Sequence, residues 1–117
     1  MTSSSTKPTI NYEDFAALDL RVGEVISASV PDWSDKLMEF GVNFGEELGE
    51  RTILAGVKQH YQPEDFLHHR FIFVVNLAER QMGKSVSQGM MLMAIGPQDE
   101  PIKLELPAQA PVGAEIC

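Results

Sequence analysis

The feature that most constrains this chain is a series of short apolar segments with no room between them for a long helix. Five such segments are bounded by glycine, proline or polar residues: Leu20–Val30, Met38–Phe44, Thr52–Val57, Phe71–Leu77 and Met90–Ile95. Alternation of apolar and polar residues, clearest in the second segment, is typical of a half-buried strand. The nearly continuous apolar runs of the last two are typical of strands buried on both faces. The sequence therefore predicts five strands, with Gly23 as the expected bulge or bend in the first.

One short helical segment is predicted between the third and fourth strands. It begins at Pro63, which suits the first position of a helix, and Glu64 and Asp65 follow where negative charge complements the helix N-terminus. Three strands, a short helix and two more strands form the element order of a five-stranded OB-fold barrel. The predicted fold class is therefore all-β, with a generic small barrel or sandwich as the structural alternative.

The two ends of the chain are predicted to differ from the barrel. Residues 1–11 open with a Ser/Thr-rich stretch and are predicted to be a disordered tail, whereas residues 12–117 form the predicted domain. Beyond the fifth strand, Ile102, Leu104 and Leu106 alternate in a predicted final strand. Pro107 and Pro111 are then expected to loosen a C-terminal extension.

The charge of the chain argues against a protein that binds nucleic acid through overall basicity. Nine Lys and Arg residues are outnumbered by 17 Asp and Glu residues, which gives a formal net charge of −8. Residues 51–98 are the exception, with five basic and three acidic groups, although an uneven solvated surface would give the same distribution. Cys117 is the only cysteine, which excludes a disulfide framework and suits the reducing cytoplasm. No apolar run approaches the roughly 18 residues that span a membrane.

Two predicted loops concentrate the groups that RNA binding needs. In OB-fold barrels, the loops between strands one and two and between strands four and five flank the oligonucleotide-binding face. The first loop carries Trp33 and Lys36, and the second, residues 78–89, carries Arg80, Lys84 and several amides and hydroxyls. Cations bind phosphates, and aromatic rings stack on unpaired bases. Structural alternatives stay open: Trp33 can plug the barrel, and the two cations Lys36 and Arg80 can pair with neighbouring carboxylates.

Five short motifs occur in a fixed order along the chain: Asp19–Gly23, Ser34–Leu37, Arg51–Gly56, Asn76–Arg80 and Ser87–Met90. Together they closely resemble the tRNA-binding domain family, which includes free-standing tRNA-binding proteins, the C-terminal domain of methionyl-tRNA synthetases, endothelial-monocyte-activating-polypeptide-like domains and an export-related chaperone. The resemblance extends from about residue 12 to residue 115. It implies a non-enzymatic OB-fold module that needs no cofactor and recognises tRNA by shape. It also implies a homodimer sealed by the terminal segments, acting free-standing or in trans beside an aminoacyl-tRNA synthetase.

The resemblance also implies which residues bind RNA, and the two loops add two more. The RNA-binding candidates are Lys36, Asn76, Arg80, Ser87, Met90, Trp33 and Lys84. Three of them have plain structural alternatives: Asn76 can satisfy backbone groups at a strand end, Ser87 can hold a turn, and Met90 can fill the core.

Two departures from the family pattern bear on affinity and on function. Gln81 stands where the family usually has a lysine, and Gly83-Lys84 is inverted relative to a common Arg-Gly pairing. One cation fewer should flatten the salt dependence of RNA binding by roughly one unit. The acidity, the missing cation and the methionine-rich fifth segment favour an alternative function, an export-related peptide-binding chaperone on the same dimeric scaffold.

No catalytic residue and no metal site are predicted. Gly83-Lys84-Ser85 resembles the end of a phosphate-binding loop, but the required earlier glycine would fall at position 78, which is alanine. His68 and His69 follow Glu64 without a second cluster of ligands.

Overall fold

The computed structural model describes residues 6–117. Residues 1–5, part of the predicted disordered tail, lie outside the described residues, and residues 6–11 are exposed and belong to no helix or strand. The elements follow in the order α1 Tyr12–Ala16, β1 Leu20–Ser29, β2 Met38–Asn43, β3 Glu50–Ala55, a 3₁₀ turn Pro63–Asp65, β4 Arg70–Val74, β5 Arg80–Met82, β6 Ser85–Ser87, β7 Met90–Met91, β8 Met93–Ile95 and β9 Pro101–Lys103.

The principal sheet has five antiparallel strands in the order β3-β2-β1-β4-β7 and is nearly closed into a barrel. The 3₁₀ turn lies between the third and fourth strands, where the sequence predicts a short helix. The predicted all-β class and the OB-type element order are therefore confirmed.

Five phenylalanines fill the barrel, each at most 1% exposed: Phe40, Phe44, Phe66, Phe71 and Phe73. The 3₁₀ turn delivers Phe66 beneath the strands, where its ring centroid lies 4.8 Å from that of Phe40 and 5.6 Å from that of Phe71. Full burial of such a side chain stabilises the folded state by about 1.5–3 kcal/mol. These rings make the barrel a packed core, so ligands must bind on its outer surface.

Strand β1 is shared between the two halves of the barrel: its first half pairs with β4 and its second half with β2. The bulge of this strand lies between Val25 and Ser27, so of the bulge or bend predicted at Gly23 the bulge is wrong. Gly23 serves close packing instead, because a Cβ there would lie 2.6 Å from Val42 and 2.7 Å from Phe44.

Residues 78–89, predicted as a loop, contain the two-stranded hairpin β5–β6. Arg80 pairs with Ser87, and the chain reverses at Gly83, whose φ of 64° favours glycine. The base of the hairpin lies beside the free edge of β3, since Gln88 donates its backbone N–H to the carbonyl of Thr52 at 2.8 Å. Strands of three residues carry little periodic signal, which is why the sequence did not predict them.

The predicted fifth strand, Met90–Ile95, divides into two. Only β7 joins the barrel, and Leu92 donates its N–H to Ile72 at the edge of β4. Strand β8 then leaves the sheet and pairs with β9 in a separate hairpin. Strand β9 ends at Lys103, so the predicted final strand reaching Leu106 is only partly present; Leu106 forms an isolated bridge with Arg70.

The C-terminal extension is held against the barrel. Gly113 donates to the carbonyl of Val22 at 2.8 Å, and Ile116 donates to that of Leu20 at 2.8 Å, so the segment continues the sheet along the free edge of β1. The Arg70 guanidinium donates to the carbonyls of residues 108 and 110 at 2.8 and 2.6 Å. Pro107 and Pro111 thus bend the chain onto its own first strand instead of loosening it.

Candidate nucleic-acid interface

The two predicted loops contact each other through Trp33 and Gly83. Trp33, half-buried, lies in the connection between β1 and β2, and Gly83 forms the turn of the β5–β6 hairpin. A Cβ built on Gly83 would lie within 2.9 Å of three atoms on the outer edge of the indole, Cε3, Cζ3 and Cη2. The ring edge therefore packs directly on the glycine backbone, which places Lys84 beside the first loop.

The backbone around Lys36 is held by hydrogen bonds from Lys58 and Ser34. Lys58, just after β3, donates its backbone N–H to the carbonyl of Lys36 at 3.1 Å and its Nζ to the carbonyl of Ser34 at 2.6 Å. The Ser34 hydroxyl in turn accepts the N–H groups of residues 36 and 37 at 3.2 and 3.1 Å. These bonds fix the turn and leave the Lys36 side chain exposed.

Most basic side chains of the protein are used to hold the fold. Arg21 donates to Asp19 at 2.7 Å, and this hydrogen bond raises the pKa of Arg21. Arg51 donates to the carbonyl of Val75 at 2.6 Å, and Lys103 donates to that of Asp65 at 2.8 Å. Arg70 and Lys58 are likewise bonded to backbone carbonyls.

Within residues 6–117, four cationic side chains make no hydrogen bond or ion pair: Lys7, Lys36, Arg80 and Lys84. Three of these four belong to the first loop and the hairpin. The structural alternative, in which Lys36 and Arg80 pair with neighbouring carboxylates, is not seen among the described residues. Glu39 instead accepts the Ser85 hydroxyl at 2.8 Å. We call Trp33, Lys36, Arg80 and Lys84, which belong to the two segments joined by the contact of Trp33 with Gly83, the cationic face.

Ser87 and Asn76 hold the hairpin and its base. Ser87 is 3% exposed; its Oγ accepts the N–H of Leu54 at 3.0 Å and donates to the carbonyl of Gly89 at 2.9 Å. Asn76, where β4 ends, accepts the N–H of Asp19 at 2.8 Å and donates to the carbonyl of Ala17 at 2.7 Å. Both side chains therefore satisfy backbone groups here, and their predicted contact with RNA stays a prediction.

An apolar groove of about 640 Å³ runs between β3, the hairpin and β7–β8. Four methionines line it, Met82, Met90, Met91 and Met93, and Met90 is 46% exposed whereas Met91 is buried. Among the described residues, Arg80 is the one charged residue in its lining. The groove arises where the hairpin and β7–β8 meet the edge of β3, so the methionine-rich segment was its one sequence signal among the described residues.

Neither a metal cluster nor a membrane helix is found in the described part of the chain. No three His, Cys, Asp or Glu side chains of residues 6–117 are grouped closely enough to hold a metal ion. No helix among these residues is sufficiently long and apolar to cross a membrane.

Comparison with sequence families gives a match over most of the chain. The family model described as "Putative tRNA binding domain" matches residues 20–115. Among curated proteins, the chain is 46% identical over 92 residues to methionine–tRNA ligase of Chromobacterium violaceum and 43% identical over 91 residues to that of Xylella fastidiosa strain M12. These stretches cover 78% and 77% of this chain but 13% of each ligase, so the chain spans a small part of these relatives.

Solved structures share the same architecture. A MetRS-related protein from Pyrococcus horikoshii superimposes with a TM-score of 0.89 at 32% identity, covering 95% of this chain and 100% of that one. The chaperone CsaA from Bacillus anthracis superimposes with a TM-score of 0.83 at 27% identity, covering 94% of this chain and 100% of that one.

Proposed function

This chain belongs to the tRNA-binding domain family, and we propose that it is a non-catalytic module that binds tRNA through the cationic face. The observation that carries the proposal is the distribution of uncommitted charge. Of the four cations in residues 6–117 that are not bonded within the fold, all but Lys7 lie in the first loop or the β5–β6 hairpin, two segments that touch at Trp33 and Gly83. Free cations are the groups that RNA phosphates require.

The acidity of the remaining surface supports the same placement. With a net charge of −8, the protein repels a polyanion over most of its surface, so RNA can approach closely only where uncommitted cations are concentrated. Three cations also set the strength of the electrostatic contribution. Each phosphate contact adds about 0.7 to 0.9 to the logarithmic salt slope, so one face should give a slope of about −2 to −3. Contacts of this kind recognise the shape of the RNA more than its sequence.

Gel-shift titration with total tRNA at several salt concentrations tests the proposal. The variant Arg80→Gln/Lys84→Gln removes two cations of the cationic face, and the matched control Lys7→Gln removes a cation that is also unpaired but lies in the N-terminal segment. Each lost phosphate contact weakens binding about five- to eightfold at 0.1 M salt, so the double variant should lose about 25- to 60-fold and flatten the slope. Unchanged affinity of the double variant would show that RNA does not bind at the cationic face.

The proposal includes a homodimer of the 12–117 domain in the cytoplasm, with an aminoacyl-tRNA synthetase as a further partner. Exposed apolar side chains on both terminal segments support it: Tyr12 is 76% exposed and Phe15 41% on α1, and Ile102 is 41% exposed on β9. A dimer would present two cationic faces to one RNA and raise avidity without new contacts. Light scattering should give twice the 13.0 kDa chain mass; a single-chain mass at high micromolar concentration would contradict the dimer.

The apolar groove favours a second candidate, a peptide-binding chaperone. Methionine side chains adapt to different apolar partners, and a groove of about 640 Å³ holds several side chains of an extended peptide. The discriminating measurement is competition between a fluorescent apolar peptide and total tRNA. If the protein leaves tRNA mobility unchanged at low salt and retains the peptide, the chaperone function is favoured. Binding of tRNA without peptide binding favours the first proposal.

A further inference from the structure

We infer that Trp33 and Gly83 are a positioning pair: their contact fastens the first loop to the tip of the β5–β6 hairpin and holds Lys36 and Lys84 in place before RNA binds. The inference rests on the proposed RNA-binding function and assigns to the single tryptophan a role other than stacking on a base. It starts from the absence of a side chain at position 83, where any Cβ would overlap the indole edge.

The hairpin needs such a fastening. A two-stranded ribbon is marginally stable by itself, and β5 and β6 have three residues each. Its base is held, since Ser87 bonds to β3 at 3.0 Å and Arg51 donates both to the carbonyl of Gln88, just after β6, and to that of Val75, just after β4. Its outer half has two attachments: the Ser85 hydroxyl, which donates to Glu39 at 2.8 Å, and the packing of Trp33 on Gly83.

The first loop needs the same contact from its own side. Lys58 bonds to the backbone carbonyls of residues 34 and 36 of this loop, and Trp33 packs the loop against the turn of the hairpin. Lys36 follows Trp33 by three residues, and Lys84 is adjacent to Gly83. The contact therefore adds to the bonds of Lys58 on the first loop and of Ser85 on the hairpin, and it is the contact that links the backbones of both cations. Ordering these cations in advance spares the entropy that RNA binding would otherwise cost.

The chain contains a matched pair of glycines for the test. Gly83 and Gly49 both have positive φ values, 64° and 72°, so alanine is strained to a similar degree at each. A Cβ at Gly49 meets no atom within 4 Å, whereas a Cβ at Gly83 overlaps Trp33. Comparing Gly83→Ala with Gly49→Ala therefore isolates the contact with the indole from the strain of the backbone.

The readouts are the fluorescence of Trp33 and the affinity for total tRNA at 0.1 M salt. Gly83→Ala should make Trp33 more accessible to acrylamide and weaken tRNA binding about five- to eightfold, the loss expected for one phosphate contact. Gly49→Ala should keep wild-type fluorescence and affinity. Wild-type affinity in a Gly83→Ala variant whose Trp33 has become accessible would overturn the inference.

Trp33→Phe separates positioning from stacking and does not depend on the fate of Gly83→Ala. Phenylalanine keeps a ring that can stack on a base but lacks the outer edge that contacts Gly83. We expect Trp33→Phe to bind tRNA as weakly as Gly83→Ala. Wild-type affinity of Trp33→Phe would show that the ring at position 33 acts by stacking on a base, and it would overturn the inference. A wild-type protein that binds no tRNA at low salt would refute the proposed function, while the fluorescence of the two glycine variants would still show whether the contact orders the loop.

Discussion

Replacing Ser87 by alanine should destabilise the protein far more than the loss of one surface hydroxyl. The Ser87 Oγ is buried and bonds to the N–H of Leu54 and to the carbonyl of Gly89. Leu54 is 4% exposed, so its N–H would be left without a partner, which costs about 1–3 kcal/mol. The half-buried Gly89 carbonyl can accept a hydrogen bond from water instead, so the loss of its bond to Ser87 adds only about 1 kcal/mol to the destabilisation. We therefore expect a loss of about 2–4 kcal/mol in the free energy of unfolding.

Urea denaturation followed by circular dichroism measures this loss, which should lower the midpoint by about 1–2 M. Ser85→Ala is the matched control on the same strand: its hydroxyl bonds to the half-buried Glu39 carboxylate, which water can solvate, so it should lose less than about 1 kcal/mol. Two results would refute the reasoning: a loss below about 0.5 kcal/mol for Ser87→Ala, or wild-type stability combined with severalfold weaker tRNA binding. The second would place the hydroxyl in contact with RNA.

Two further substitutions test the packing of β1. Gly23→Ala should lower the free energy of unfolding by about 1–3 kcal/mol or more, because the new methyl group overlaps Val42 and Phe44. The control Gly56→Ala, where a Cβ meets no atom within 4 Å, should leave the melting temperature nearly unchanged. Equal melting temperatures of the two variants would contradict the close packing at Gly23. Arg70→Gln should raise the hydrogen-exchange rates of the Gly113 and Ile116 amides at least tenfold while the β2 amides keep theirs, because the guanidinium holds the C-terminal segment. Unchanged exchange rates at both amides would show that the C-terminal segment stays on β1 without the Arg70 guanidinium.

Residues that repeat with a strand period could be predicted, and residues placed by tertiary contacts could not. Strand β2 follows from apolar alternation, strands β1, β3 and β4 from apolar runs bounded by glycine, proline or polar residues, and the 3₁₀ turn from Pro63. The burial on both faces predicted for Phe71–Leu77 and Met90–Ile95 is wrong, because Ile72 is only half-buried and Met90 is exposed. The helix α1 has five residues, and the hairpin strands have three, too few for a period to emerge. The hairpin depends on Ser87 and Trp33, whose partners are far away in the sequence.

The candidate site shows the same division. The uncommitted cations could be located because charged residues in two loops stand out in an acidic chain. Which cations were uncommitted could not be predicted, since Arg51 and Arg70 differ from Arg80 in the partners that the fold brings to them: backbone carbonyls for both, and the carboxylate of Glu24 for Arg70 as well. The groove could not be predicted from the sequence either, because it forms between β3, the hairpin and β7–β8, which come together only in the folded protein.

The pairing of the C-terminal segment with β1 has a consequence for how the protein folds. The backbone groups of Leu20 and Val22 find their partners at residues 113–116, more than 90 positions later in the chain. Closing so long a span is entropically costly and slows folding in proteins dominated by distant contacts. Until residues 113–116 pair with β1, the first half of that strand presents an unpaired edge to which other chains can bind. Docking of this segment therefore protects the barrel against association through β1.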